Sequence, residues 1–452
     1  MIRAHRNTIL TALIALSFTQ CIPAADTETP RAFQCEPAAD LFSGGEGTLR
    51  APYVLCSEDD LQLLAASPEH WRANFGLGAN IAMTRPIDPI GTEDEPFAGI
   101  LDGDGLSIID LEVAPADDLT ALFGVLSGEL TNLGLRAPRV QGSTNVAALV
   151  AFIQPGGKVS DVFIDAAIIE ADNYAGILAA WNFGIVERSH VNGRITAQSG
   201  PPQDLGFQPE EETEAENLDP AVAVAGGLVG ASVTISSTAA QIRDSSAEIV
   251  INSKGQVVGG LVGFNGASIL RSSSRGEIRT TDSASGFYGG LAGSNTQQGS
   301  ISESFSAVDL DTAAQFVGGL LGANEGQVEN TYAIGQVEAS NFGAGLIGVQ
   351  QQGASLTNSF AFGRVTSATT EAAPNRVFSG LVTSLGSASV VNSFFNETKN
   401  PQLSSGPLIS GTSLPEESFR DPQQFGAWDL QTIWFHNGGT QPHPRLRMES
   451  TR

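Results

Sequence analysis

Residues 260–278 read Gly260-Leu261-Val262-Gly263-Phe264-Asn265-Gly266-Ala267-Ser268-Ile269-Leu270-Arg271-Ser272-Ser273-Ser274-Arg275-Gly276-Glu277-Ile278. Three short β-like runs, Gly260 to Gly263, Ala267 to Leu270 and Gly276 to Ile278, are separated by Asn, Gly and Ser. The opening tetrad returns at Gly290–Gly293, Gly319–Gly322 and Gly345–Gly348, and Gly227–Gly230 precedes it. Degenerate copies stand at Leu122-Phe123-Gly124, Ala148–Ala151, Gly176–Ala179 and Gly380–Thr383. Successive copies are about 26 to 35 residues apart, except for one gap of 51 from Ile177 to Leu228, and a period in this range marks a solenoid.

Runs this short cannot bury an apolar face alone. Stacked on the next unit they can, and each backbone N–H and C=O then finds a partner one coil away, about 4.8 Å along the axis. The expected fold is therefore all-β: a right-handed parallel β-helix, read as a three-sheet solenoid with a short N-terminal capping helix.

Residue types match down the stack. Aligned on the third run, Ser189, Ser272, Ser304, Thr331 and Ser359 form a hydroxyl column, and Phe305, Tyr332 and Phe360 an aromatic one beside it. Ser393 and Phe394 continue both. Asn265, Asn295 and Asn324 form a third column just after the apolar run, where an Asn side chain bonds to turn backbone. Such ladders reward keeping one residue type in register, and the rings are expected to stack inside the helix.

The Gly-Leu-Val-Gly hallmark, the turns at Phe264-Asn265-Gly266 and Asn324-Glu325-Gly326, and the run from Asn330 to Val337 together resemble the GLUG repeat of bacterial exported and surface proteins. The leader through Pro89-Ile90-Gly91, Pro96–Gly99 and Leu101–Gly105, and the tail with Trp428-Asp429, Trp434 and Pro444-Arg445-Leu446, are similar to the flanks of such arrays. The resemblance covers roughly residues 44 to 447. It implies architecture and an adhesin-like setting; it implies no particular activity.

The amino terminus has Arg3 and Arg6, an apolar stretch from Ile9 to Phe18 and small residues ending at Ala24-Ala25, the pattern of a secretory signal over residues 1–25. Cleavage after Ala24 or Ala25 releases the protein; cleavage before Cys21 gives a lipid anchor on that thiol. Either route leaves Cys35 and Cys56, an even pair expected to form a disulfide in an oxidising compartment. The expected location is extracellular or the outer membrane and cell surface.

Residues 26–43 read as a tether, 44–118 as leader and first coils, 119–400 as the repeats, and 401–452 as an irregular cap and tail. Ser57 to Asp60 is a capping-box start for a helix through about Ala66, placed to cover the first coil. The acidic run at 200–220, with Glu210, Glu211, Glu212, Glu214, Glu216 and Asp219, reads as a disordered insertion.

With 49 acidic against 23 basic residues and a net charge of −26, the chain is unsuited to nucleic acid or anionic membrane surfaces. No stretch after the signal reaches the roughly 18 apolar residues of a transmembrane span. The alternating carboxylates of Asp102-Gly103-Asp104-Gly105 admit Ca²⁺ but read as a tight turn; no cofactor or metal is expected. His70, His190, His436 and His443 form no metalloprotease pattern, and the last two read as exposed. Neither a nucleophile elbow nor a phosphate loop occurs. The enzyme alternative is a polysaccharide hydrolase or lyase, for which Glu303 and Glu329 are neighbours across coils and Arg271, Arg275 and Arg279 the one short basic cluster. The preferred expectation is an adhesion, binding or structural module without catalytic activity, with a glycan or protein ligand.

Overall fold

A computed structural model describes residues 33–36, 41–116, 118–198, 223–235, 238–280, 286–368, 376–384, 388–403, 409–438 and 442–450. The signal segment with Cys21, and the acidic run at 200–220, lie outside the described residues.

Each full turn of the chain supplies four strands. In the turn holding the quoted stretch these are Val257–Gly259, Val262–Gly266, Ser268–Leu270 and Ser273–Arg279. Stacked turns build four sheets, called I to IV in that order, of 9, 10, 12 and 15 strands. Within these four sheets the strand pairing of the described residues is parallel except where Val382–Ser384 meets Ile409–Ser410, and in the tail Trp434–Phe435 pairs antiparallel with Arg445–Leu446. The parallel β-helix forms as expected. Its strand runs are four, not three, because Gly260 and Leu261 of the tetrad form a bend between sheets I and II, and Val262 and Gly263 open the strand of sheet II. Sheet I spans the repeats, from Leu119–Thr120 to Val377–Ser379, whereas sheet III starts in the leader at Tyr53–Leu55.

The bend explains the tetrad. Leu261 and Val262 point inward and are fully buried in the main core, as are their counterparts Leu228, Leu291, Leu320, Leu346 and Leu381. Gly260 turns to the interior, where a Cβ would lie 3.0 Å from Ser274 Cβ and Val308 Cγ2, whereas Gly263 and the preceding Gly259 face a re-entrant corner where the outer surfaces of sheets I and II touch. A Cβ on Gly263 would lie 2.6 Å from Val224 Cγ1 and from the Gly230 carbonyl oxygen; on Gly259 it would lie 1.9 Å from the Val262 carbonyl oxygen. Earlier turns carry Ala151 and Ala180 at the equivalent place, and the corner there is filled by a second apolar cluster around Phe152, Tyr174 and Trp181. The Trp181 ring sits 4.7 Å from Tyr174, and its indole N–H donates to Asn145 Oδ1.

The corner between sheets III and IV is built on left-handed residues. Arg188, Asp244, Arg271, Glu303, Asn330, Asn358 and Asn392 all have φ between 45° and 54°. The hydroxyl of the residue that follows reaches back to the carbonyl two positions before it, as Ser272 does to Leu270 at 2.9 Å, and accepts the N–H of the equivalent residue one turn earlier. Ser189, Ser245, Ser272 and Ser304 link in this way, as do Thr331, Ser359 and Ser393. Ser245 is a rung that the sequence alignment passed over, because its unit carries Ile249 where the neighbouring units have Gly193 and Gly276. At the corner between sheets II and III, Asn265 donates to Asn295 at 2.7 Å and Asn295 to Asn324 at 2.8 Å, a buried amide ladder.

The N-terminal end is closed as the sequence suggests. The helix Glu58–Ala65 opens with a capping box between Ser57 and Asp60, and Leu61 and Leu64 enter the main core. Cys35 and Cys56 are bonded, their Cα atoms 6.0 Å apart.

Candidate functional site

Sheet IV has the longest strands: Phe163–Ala171, His190–Ala197, Ser246–Ser253, Ser273–Arg279 and Phe305–Asp311. Alternation sends every second side chain outward. Ala333, Ala361 and Phe395 point into the main core, so their neighbours Tyr332, Phe360 and Phe394 point out of it. This corrects the expectation that the rings stack inside the helix. They do stack, Phe305 on Tyr332 at 4.8 Å and Tyr332 on Phe360 at 5.0 Å with planes within 4°, but on the outer surface.

These rings are nevertheless buried, because the tail folds back over them. Phe419, Phe425, Trp428, Trp434, Leu446 and Met448 close a third apolar cluster on Phe305, Tyr332 and Phe360. Tail and solenoid are also joined by polar bonds. Trp434 Nε1 donates to Asn330 Oδ1 at 3.1 Å, and Trp428 Nε1 donates to the Asn392 carbonyl at 3.0 Å. His443, expected to be exposed, is buried beside Phe360 and Phe362, and its burial lowers its pKa to about 4.

Followed toward the N-terminus, the ring column changes character. Ladder pairing places Phe163, His190, Ser246, Ser273 and Phe305 in one file. Rings at both ends and small or polar side chains between them leave a trench of about 630 Å³, four coil steps long, or ~19 Å at 4.8 Å per step. Arg445, Met448 and Glu449 of the tail form its far wall, and the next outward file, Arg136, Asp165, Asn192, Glu248 and Arg275, runs along its side. The sequence carried this signal in the column read backwards from Phe305 through Ser273 and Ser246; the alignment had followed only the rings.

Beside the trench the left-handed corner presents alternating charge: Asp161, Arg188, Asp244, Arg271, Glu303. Arg188 grips Asp161 with two bonds of 2.7 and 2.6 Å, and Arg271 grips Asp244 with two of 2.7 and 2.9 Å. The Arg188 hydrogen bond holds the Asp161 carboxyl below its usual range. One file inward, Glu187 is almost fully buried among Arg188, Arg243 and Lys158. Burial alone would raise its pKa, but the bond from Arg188 and the charges of Arg243 and Lys158 bring it below the ordinary value.

The remaining candidates are dispersed. Glu303 occupies the left-handed corner, and Glu329 pairs in register with Ser302 and Thr357, so the two are not ladder partners. Of the three arginines, Arg271 pairs with Asp244 and Arg279 with Glu277, while Arg275 alone enters the trench. Asp102 makes the tight turn, accepting the Asp104 N–H and the Asn132 amide. Among the described residues no group of His, Cys, Asp and Glu is arranged to hold a metal ion, and no helix is long and apolar enough to cross a membrane.

No family model matches the chain. It is 29% identical over 150 residues to halomucin of Haloquadratum walsbyi, a stretch that is 29% of this chain and 2% of that protein. Among solved structures, a Bacteroides ovatus protein provisionally described as an immunoglobulin A1 protease superposes with a TM-score of 0.40 at 15% identity, over 90% of this chain and 95% of that one. A second, described as an IgA1 protease, gives a TM-score of 0.40 at 18% identity, over 63% of this chain and 21% of that one. Both descriptions name an enzyme, so the expectation of a module without catalytic activity is withdrawn. At this level of similarity neither likeness transfers an active site.

Proposed function

We propose that the chain is an exported solenoid of the GLUG-repeat kind, secreted or held at the cell surface, that binds an extended ligand along the trench on sheet IV. The observation that carries this reading is the file Phe163, His190, Ser246, Ser273, Phe305: a ring column interrupted by small side chains and walled off by the tail. A rigid, open channel along the axis, lined by polar and apolar groups alike, suits a linear polymer better than a compact metabolite. The Cys35–Cys56 bond and the signal-like segment ending at Ala24-Ala25 support export.

The test is binding of the full chain to a glycan and peptide array, repeated with Ser246→Trp, which fills the trench floor with a ring. The reading expects ligands that are captured by the parent chain and lost by the variant at unchanged melting temperature. Ligands retained by Ser246→Trp at full strength would overturn it.

A further inference from the structure

We infer that the trench recognises the carboxylate of an acidic polysaccharide, an inference that rests on the trench being the binding site. The chain is strongly acidic, and the arginines of the neighbouring corner are matched to aspartates. Arg136, Arg275 and Arg445 line the trench and form no ion pair with a carboxylate among the described residues. Arg136 spends only its Nε, on Ser107 Oγ, and lies 5.8 Å from the Phe163 ring centre; Arg275 lies over the Phe305 ring at 5.0 Å. Most of their N–H donors are unspent.

Of the three carboxylates in the trench, Asp165, Glu248 and Glu449, two already accept local hydrogen bonds. Glu449 Oε1 accepts from Tyr332 and from the Leu446 N–H, and Asp165 Oδ1 accepts the Asn192 amide. Guanidinium forks left open along one axis, among carboxylates that do not pair with them, suit a ligand carrying carboxylates at intervals, each held by the paired N–H fork.

The sheet also distinguishes sugar from peptide. Strands of sheet IV have neighbours on both sides here, so no free edge exists onto which a peptide backbone could add. Ligand polar groups must meet side chains instead. Glu248 offers an acceptor for ring hydroxyls, and Phe163 offers an apolar face.

The experiment measures binding of oligogalacturonate, its methyl ester and poly-glutamate to the full chain by calorimetry. Variants are the double substitution Arg275→Gln with Arg445→Gln, the trench-filling Ser246→Trp, and Arg364→Gln as a control on an exposed arginine outside the trench. The inference expects oligogalacturonate to bind, the methyl ester not to, and the double variant to lose about tenfold or more in affinity, as losing charge-assisted bonds entails. Arg364→Gln should bind as the parent does. Equal binding of acid and ester, or of the double variant and parent, with loss in Ser246→Trp, overturns the carboxylate inference alone. Oligogalacturonate binding that survives Ser246→Trp overturns the trench as the site. Poly-glutamate binding as tightly as the sugar acid overturns the polysaccharide class in favour of an acidic peptide, and no binding of oligogalacturonate to the parent overturns the inference.

Discussion

Tyr332 donates its phenolic hydrogen to Oε1 of Glu449 at 2.7 Å, joining the middle of the ring column to the last turn of the tail across 117 residues of sequence. The same carboxylate oxygen accepts the Leu446 N–H, so this bond fixes the tail's own turn as well as its docking. The far wall of the trench is thus built by a segment that the repeats themselves do not contain.

Phe360 touches Phe419, Trp428, Trp434 and His443, all in the tail. Phe360→Ala should remove about 3–5 kcal/mol, the usual cost of a buried ring. Because the lost contacts, apart from the stack on Tyr332, are tail contacts, the tail should detach first. In a denaturant titration, Trp428 and Trp434 emission should shift to the red before far-UV circular dichroism reports loss of the sheets. Coincident transitions would show that the tail and solenoid are one cooperative unit.

Gly263→Ala places a methyl against backbone on one side and Val224 on the other, with no flexible side chain to yield. Overpacking of this kind costs about 1–3 kcal/mol. Gly426→Ala is the comparison, since its added carbon meets nothing nearer than 3.5 Å. Melting temperatures of the two should differ clearly, the first lowered and the second near the parent.

Ser272→Ala removes the hydroxyl that accepts the Ser245 N–H and donates to the Leu270 carbonyl. The loss should be about 1–3 kcal/mol, the usual worth of two buried hydrogen bonds. Ser272→Thr keeps a hydroxyl at the position, as Thr331 does in the same column, where it meets Ser359 Oγ at 3.0 Å, and should recover part of the loss. A threonine variant as unstable as the alanine would point to shape, not hydrogen bonding, as the role of the column.

The coil stack was legible because each turn repeats its inward residues. Leu261 predicts Leu291 and Leu320, and a period survives degeneration of single copies. The fourth sheet was not, because Gly260 and Leu261 look like strand until the touching of sheets I and II is known. The direction of the ring column was equally hidden. Both an inward and an outward file of aromatics satisfy the same alternation, and only the tail, far away in sequence, makes an outward file buried. The trench depends on the outward direction of that file and on the tail that walls it, and so was beyond reach of the repeat pattern.

The Cys35–Cys56 bond closes a loop of 21 residues and ties the chain before the first coil to the start of the helix. In the chain-entropy account a loop of this size contributes about 3 kcal/mol. Cys35→Ser should lower stability by that order and leave the first strand of sheet III, Tyr53–Leu55, exchanging its amide hydrogens faster. Mass spectrometry of the unreduced protein should find the two cysteine peptides linked; two free thiols would remove the staple.

Acid should release the tail before it unfolds the solenoid, and His443 is the reason. Burial against Phe360 and Phe362 lowers its pKa to about 4, with Arg445, Lys399 and His436 adding positive charge that opposes protonation, while the bond to the Pro444 carbonyl works the other way. An unfolded histidine titrates near 6.5. Above pH 6.5 the ring is neutral in both states, and the docked tail keeps its full stability. Between about 6.5 and 4 the released ring takes up a proton that the docked ring does not, so stability falls with pH; below 4 both are charged and the loss is complete. Its size follows from the shift, about 3 kcal/mol. Trp428 and Trp434 emission should move to the red across this window at a denaturant concentration that leaves the parent docked at pH 7. His443→Phe fills the same apolar site with a ring that cannot titrate, and should flatten the profile between pH 6.5 and 4. An unchanged profile in that variant would assign the acid sensitivity to other groups.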